Sequence, residues 1–149
     1  MSATETILKK IDDLEGKEQG YVAWLLSMLD HPESIIRFAA IRPLIYRCSS
    51  PYIIPKLWQM LAIEADEDVI LLIISALASN LRGTKDAEAL HQFHTALKRV
   101  GGGREGTRET YDDAKLSVML GLDAKQIVRM TIAERGEQVA KVNARLKLN

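Results

Sequence analysis

The chain has 149 residues, of which 47% are hydrophobic and 27% charged, a balance typical of a globular domain and too apolar for disorder. Twenty basic side chains oppose twenty acidic ones, so the net charge gives no support for a nucleic-acid or membrane partner. This length suits a single domain, residues 1–149, which can bury enough surface to fold without disulfides or metal.

The cysteine count and the first residues predict the compartment. A single cysteine cannot form an internal disulfide, so the fold does not need an oxidising environment. The N-terminus lacks the basic start and apolar core of a signal peptide, and the apolar runs are far shorter than the roughly 20 residues of a membrane span. We therefore predict a cytoplasmic protein that does not bind membranes.

Helical spacing of the apolar residues predicts five helices in the first half of the chain. Local signals mark their starts: a capping-box spacing, prolines in the first turn, and an acidic stretch at 64–68. The predicted helices lie near 3–15 (after the Ser2 and Glu5 box), near 18–29, after Pro32, from Ser50-Pro51 onward, and over 69–81.

The fifth predicted helix is apolar almost all round, which suits a central element that is covered on several sides. The dense β-branched residues of 69–74 also fit a buried strand. The helix is favoured because the apolar segment continues to Leu81 and the chain offers no partner strand.

Glycines and capping residues divide the second half. A sixth helix begins at Asp86 and ends at the glycines 101–103, which open a polar loop that reaches Arg108. Thr110 and Asp113 are spaced as a helix start.

The last stretch, 124–147, follows a capping-box spacing at Asp123 and Gln126 and reads as one helix or as two broken at Gly136. About nine short helices with no strand pattern predict an all-α fold without a sheet.

Two helical hairpins in this sequence resemble each other. Trp24 and Trp58 occupy similar places on the first helix of each hairpin, and the apolar faces of the second helices match at a spacing of 33. Those faces are Ile36, Ala40 and Leu44, and Val69, Ile73 and Leu77. Hairpins that recur at this interval are typical of an α-solenoid.

The segment 29–44, LDHPESIIRFAAIRPL, resembles the HEAT-repeat family, with its turn aspartate, proline, arginine, alanine and leucine in order. The resemblance covers 21–81 and implies a short α-solenoid of about three to four hairpins; a different helical bundle is the alternative. It also implies that Asp30 and Arg37 form a polar ladder between repeats. The ladder should be interrupted in the second hairpin, where Ile70 takes the arginine position.

Two groups of residues are candidates for contact with a partner. The first is a mixture of arginine, aromatic and aliphatic side chains on the third helix, of the kind that protein interfaces favour: Phe38, Ile41, Arg42 and Ile45, flanked by Tyr46 and Tyr52. Burial of Ile41 and Ile45 against a neighbouring helix is the alternative interpretation.

The second group surrounds the glycine-rich loop. Gly101, Gly103 and Gly106 have the spacing of a dinucleotide fingerprint, but a helix precedes them instead of the required strand, so we interpret the segment as a loop. Its guanidinium groups are suited to a partner's carboxylates or to phosphate: Arg99, Arg104 and Arg108.

These observations predict a non-enzymatic protein-binding module, with no catalytic residues, cofactor or metal site. The HEAT resemblance and the small size suggest an immunity protein or an adaptor. Nucleic-acid binding is the alternative, followed by an enzyme similar to the bilin lyases. A C-terminal stripe of Val139, Val142 and Leu146 suggests docking to the partner or to a second copy of the chain.

Overall fold

A computed structural model describes residues 1–13, 20–47, 52–100 and 108–146. Within these ranges the chain forms nine α-helices and no strand, so the predicted all-α fold is confirmed there, while the solenoid arrangement stays a prediction. The helices are α1 (Ala3–Asp13), α2 (Tyr21–Met28), α3 (Ser34–Tyr46), α4 (Ile53–Leu61), α5 (Glu67–Asn80), α6 (Ala87–Val100), α7 (Arg108–Leu120), α8 (Ala124–Val128) and α9 (Ile132–Leu146).

The segment with two competing interpretations, 69–74, lies inside α5 and is helical. Val69, Ile73 and Leu77 are fully buried at a spacing of four, which places them on one side of the helix. The strand interpretation is therefore wrong. The β-branched residues are numerous because this helix is largely covered, and burial outweighs their weak preference for strands.

Two capping boxes predicted from spacing are present. At the start of α1, the Glu5 backbone N–H donates to Ser2 Oγ (3.1 Å), and the Ser2 N–H donates to the Glu5 carboxylate (3.4 Å). At the start of α8, the Gln126 N–H donates to the Asp123 carboxylate (2.8 Å) and the Asp123 N–H donates to the Gln126 side chain (2.9 Å). These bonds satisfy amide groups that the first helical turn leaves without partners.

Two compact units divide the chain, residues 1–72 and 73–149, with the boundary inside α5. The single-domain prediction for 1–149 stays a prediction. No helix in the described ranges is long and apolar enough to cross a membrane.

In the first unit, α1 and α2 both pack on α3. The apolar side chains that are buried here lie on all four complete helices of the unit: Ile11, Leu25, Ile36, Ala40, Ile41, Leu44, Leu57 and Leu61. Burying a side chain of this size contributes about 1.5–3 kcal/mol relative to leaving it exposed. The core therefore depends on covering the inner face of α3 from two directions.

The burial pattern repeats between the two helical hairpins. In the second helices, α3 and α5, four pairs of buried residues are 33 positions apart: Ile36 and Val69, Ala40 and Ile73, Ile41 and Ile74, Leu44 and Leu77. In the first helices, α2 and α4, three buried pairs are 32 positions apart: Tyr21 and Ile53, Leu25 and Leu57, Leu29 and Leu61. The second hairpin thus has one extra residue between its buried faces.

A polar joint in the first unit centres on Arg37. Its guanidinium donates two hydrogen bonds to the Glu64 carboxylate (2.9 and 2.8 Å) and further bonds to the carbonyls of His31 (2.8 Å) and Pro32 (2.9 Å). Glu64 is buried, so this bidentate pair lies mostly out of water. Arg37 therefore ties the turn before α3 to the turn after α4.

The second predicted ladder residue makes a separate contact in the same region. Asp30 accepts a hydrogen bond from Lys56 Nζ of α4 at 2.6 Å, and this ion pair is exposed on the aspartate side. Asp30 and Arg37 thus each bind a residue of α4 or of the turn that follows it. An exposed pair of this kind contributes only about 0–1 kcal/mol, so the structural contribution of Arg37 is the larger one.

In the second unit, α7, α8 and α9 share an apolar core. The buried members are Leu116, Ile127, Val142 and Leu146, with Met119, Leu122 and Val139 packed against them. The C-terminal stripe predicted to dock on a partner or on a second copy is thus covered from within the chain. That prediction is wrong for Val142 and Leu146, because α7 and α8 fill the position that the partner was expected to take.

The last stretch is two helices, and the break lies before Thr131 and not at Gly136. Gly136 is an interior residue of α9. Thr131 Oγ1 accepts a hydrogen bond from the Glu134 N–H (3.1 Å), which caps the start of α9. The cap and the turn after α8 outweigh the low helix propensity of a single glycine.

The acidic start of α5 predicts a dependence of stability on pH. A backbone hydrogen bond from Val69 to the Asp66 carboxylate (3.0 Å) lowers the pKa of Asp66 below its ordinary value of 3.8; burial opposes this, and bonds from Ser34 and Asp68 support it. Because the lowered pKa belongs to the folded state, the stabilisation is present above pH 3.8 and is lost as the pH falls through the lowered pKa.

Asp66→Asn keeps a capping oxygen but removes this titration. We expect the wild-type protein to exceed the variant in stability above pH 3.8 and to lose that advantage in more acidic solution. Denaturant unfolding at a series of pH values measures the difference, and carboxyl NMR measures the pKa directly. An Asp66 carboxyl that titrates at 3.8 or higher would contradict the prediction.

Candidate functional site

An exposed stripe runs along the outer side of α3. Ile35 is 54% exposed and Tyr46 is 70% exposed, and Arg42 lies between them, also exposed. Phe38, half-buried, lies at the edge of the same side. We call these four residues the α3 stripe. They join aliphatic, aromatic and guanidinium groups on one rigid helix, which is the composition that interface centres favour.

The stripe is exposed because α1 and α2 cover the opposite side of α3. Ile36, Ala40 and Leu44 are fully buried, and α1 and α2 both pack on the helix. At 3.6 residues per turn, Ile35 and Arg42 are two turns apart and point together away from that core. Ile35 and Tyr46 thus remain in solvent although the opposite side of the same helix is fully buried.

The α3 stripe is positively charged. Helix α3 contains no acidic residue, and its other arginine, Arg37, is engaged with Glu64. In the ranges that the structure describes, neither Arg42 nor the exposed Arg47 forms an ion pair. Two cations therefore remain available at this surface for carboxylates of another molecule.

The structure separates the four α3 residues predicted to contact a partner. Phe38 and Arg42 lie in the α3 stripe, and Ile45 is half-buried at its border. Ile41 is fully buried, at 0% exposure, so its predicted contact with a partner is wrong. The reason is helical geometry, since Ile41 follows Arg37 by one turn and faces the same inner side.

The loop arginines predicted as contacts have different outcomes. Arg99, in the last turn of α6, and Arg108, the first residue of α7, are both exposed. Arg104 and the glycines around it lie outside the described residues. The contact predicted for this group stays a prediction.

Sequence reasoning missed several exposed apolar residues. Ile63, in the turn after α4, is among them, and so are Val128 and Ile132 on either side of the joint between α8 and α9. The sequence indicated that Ile63 could be exposed, because this residue stands directly before the acidic stretch that ends the helix. Val128 and Ile132 share the three-and-four spacing of the C-terminal apolar residues, but a turn separates them and both are exposed.

The chain matches no protein-family model, no curated protein and no solved structure. The fold class by itself does not define a function, since helical scaffolds carry many unrelated ones. The functional assignment therefore depends on the surfaces of this chain.

Proposed function

We propose that this chain is a non-enzymatic protein-binding module on a HEAT-like scaffold, acting as an immunity protein or an adaptor. The exposed α3 stripe carries the proposal. Ile35 and Tyr46 leave apolar area in water on a helix with a complete inner core, and Arg42 between them has no ion pair within the described ranges. Tyrosine and arginine are enriched among the few interface residues whose replacement by alanine costs about 2 kcal/mol or more of binding free energy.

The scaffold part of the proposal is supported by the repeated burial pattern of the two hairpins. The buried faces of α3 and α5 keep a spacing of 33, as hairpins of a stacked repeat do. Arg37 joins the turns of the two hairpins, which is the position of the ladder arginine that the HEAT resemblance implies.

The charge of the stripe favours a different protein over a second copy. A two-fold axis through the middle of the stripe would bring Arg42 of both copies close together, and like charges at that distance oppose association. A partner with an apolar face and nearby carboxylates instead matches both the aliphatic groups and the guanidinium.

Site-specific photo-crosslinking in the source cells tests this proposal. A photoreactive phenylalanine in place of Tyr46 should capture one different protein, and the same group in place of the exposed Asp12 of α1 should not. Arg42→Glu should reduce the adduct at Tyr46 by at least about tenfold, because it reverses the only charge in the stripe.

The outcome also distinguishes the proposed roles. A toxin or nuclease-like adduct indicates an immunity protein, whereas a subunit of a larger assembly indicates an adaptor. Adducts only between copies of the chain, equal adducts from Asp12 and Tyr46, or an adduct unaffected by Arg42→Glu would each overturn the proposal.

A further inference from the structure

The C-terminal ends of α5 and α7 meet through two glycines in the second unit. Gly83 and Gly121 both have positive φ (66° and 69°), and a Cβ on Gly83 would lie 3.3 Å from the Cα of Gly121. The Gly83 N–H donates to the carbonyls of Ser117 and Val118 at 3.1 Å. A side chain at Gly83 would therefore require a left-handed backbone and a shift of a few tenths of an ångström between the two helix ends.

A cleft of about 670 Å³ lies close to this contact. Residues of α5, α7 and α8 line it. Its walls on α5 and α7 are made of small side chains, among them Ser75, Ala78 and Ser79, and Ala114 and Ser117. These residues recur at intervals of three and four, so each helix turns one face toward the cleft. The volume is within the range of ordinary ligand sites, about 300–1,000 Å³.

Two cations and two carboxylates line the cleft, and they differ in their partners. Arg82 and Lys125 both line it and are exposed, and in the described part of the chain neither has a hydrogen bond or an ion pair. The carboxylate of Asp123 accepts the Gln126 N–H that caps α8. This bond comes from a neutral amide, so Asp123 still offsets one of the two cations, and the pairing of the other acidic residue decides the remaining charge.

The other acidic residue of the cleft, Asp113, is paired with Arg135 of α9. Burial lowers the pKa of Arg135, but its hydrogen bond and ion pair with Asp113 outweigh that effect, and the pKa lies above its ordinary value. Arg135 therefore balances Asp113, and the other three charged groups of the cleft, Arg82, Lys125 and Asp123, leave an excess of one positive charge.

Besides Lys125, α8 contributes an exposed apolar side chain to the cleft. Val128 lines it and is 82% exposed, and Leu122 also lines it. Ser75, Ser79 and Ser117 also line the cleft, and a serine hydroxyl can donate to, or accept from, a peptide backbone. The surface thus combines positive charge, hydroxyls and one exposed aliphatic group.

We infer that this cleft binds an acidic segment of another polypeptide, whose carboxylates contact Arg82 and Lys125 and whose apolar side chain covers Val128. The inference deepens the proposed protein-binding function and rests on it. A polypeptide is the fitting occupant because the cleft is partly open to solvent and is lined by serines whose hydroxyls can bond to a backbone, whereas small-molecule sites are more enclosed.

An NMR titration of the full chain with a short peptide of alternating glutamate and leucine tests the inference. The expected result is amide shifts confined to the cleft, at Ser75, Ser79, Ser117 and Lys125, which weaken as salt is added. The same peptide with glutamine in place of glutamate should bind at least about tenfold more weakly, since the charge-assisted bonds are lost.

Matched variants test whether Arg82 and Lys125 bind the peptide. Arg82→Gln with Lys125→Gln should weaken the glutamate peptide at least about tenfold, and Arg145→Gln, an exposed cation outside the cleft, should leave its affinity unchanged. Because these side chains have no partners in the described chain, the fold should change by less than about 0.5 kcal/mol. Val128→Ser, which touches no charge, should also weaken the peptide.

Shifts outside the cleft, equal binding of the glutamine peptide, or unchanged affinity in the double variant would each overturn the inference. Failure here is distinguishable from failure of the proposed function, because crosslinking at Tyr46 depends on the α3 stripe alone. A crosslink that persists in the Arg82→Gln/Lys125→Gln variant, together with no peptide binding, removes the cleft and keeps the protein-binding role.

Discussion

Replacing Arg37 with methionine is expected to destabilise the protein by about 3–5 kcal/mol, because the substitution leaves the buried Glu64 carboxylate without its cation. The side chains of Arg37 and Glu64 are only 17% and 7% exposed, so water cannot replace the lost bonds. The carbonyls of His31 and Pro32 lose a donor in the same step. Denaturant unfolding of the full chain measures the change.

Two further variants show whether the cost comes from the unpaired charge. Lys56→Met breaks the exposed pair with Asp30 and should cost no more than about 1 kcal/mol. Arg37→Met combined with Glu64→Leu removes both charges and should be clearly more stable than Arg37→Met alone. If Arg37→Met lies within the range of Lys56→Met, the joint does not stabilise the fold as described.

Alanine at Gly83 is expected to destabilise the second unit by about 2–4 kcal/mol, through two costs that act together. The positive φ of 66° is unfavourable for a residue with a Cβ, and that Cβ would lie 3.3 Å from the backbone of Gly121. Moving the backbone to relieve the contact weakens the bonds from the Gly83 N–H to α7. Gly121→Ala should behave alike, with a contact of 3.4 Å.

Other glycines of the chain separate the two costs. Gly20 also has a positive φ but nothing within 4 Å of its Cβ position, so Gly20→Ala should cost only the backbone term of about 1–2 kcal/mol. Gly136 lies inside α9 in open space, and Gly136→Ala should stabilise by about 0.5–1 kcal/mol. The Gly83→Ala/Gly121→Ala double variant should be less costly than the sum of the single ones, because both disturb one contact. A Gly83→Ala cost equal to that of Gly20→Ala would show that the close approach is not required.

The α3 stripe and the acidic-peptide cleft make separate demands on the proposed partner. The stripe would bind an apolar face with a carboxylate near Arg42, and the cleft would bind an acidic segment near Arg82 and Lys125. The crosslinking and titration experiments report on the two surfaces independently.

Local chemistry was sufficient to predict the helices and several of their ends. The Ser2 and Asp123 capping boxes, the all-α class and the helical nature of 69–74 all depend on interactions within about four residues along the chain. The break before Thr131 was not predicted, because Gly136 was the expected position of a break.

The partners of each helix face were decided by tertiary structure. Arg37 reaches Glu64 across 27 positions of sequence, and no local pattern identifies that carboxylate among the twenty acidic residues. Burial of Ile41 and of the α9 stripe likewise depends on which neighbour covers each side. Helical periodicity in the sequence specifies which residues share a face, because that follows from bond geometry. Whether the face meets protein or solvent depends on contacts between distant segments, and these exist only in the folded chain.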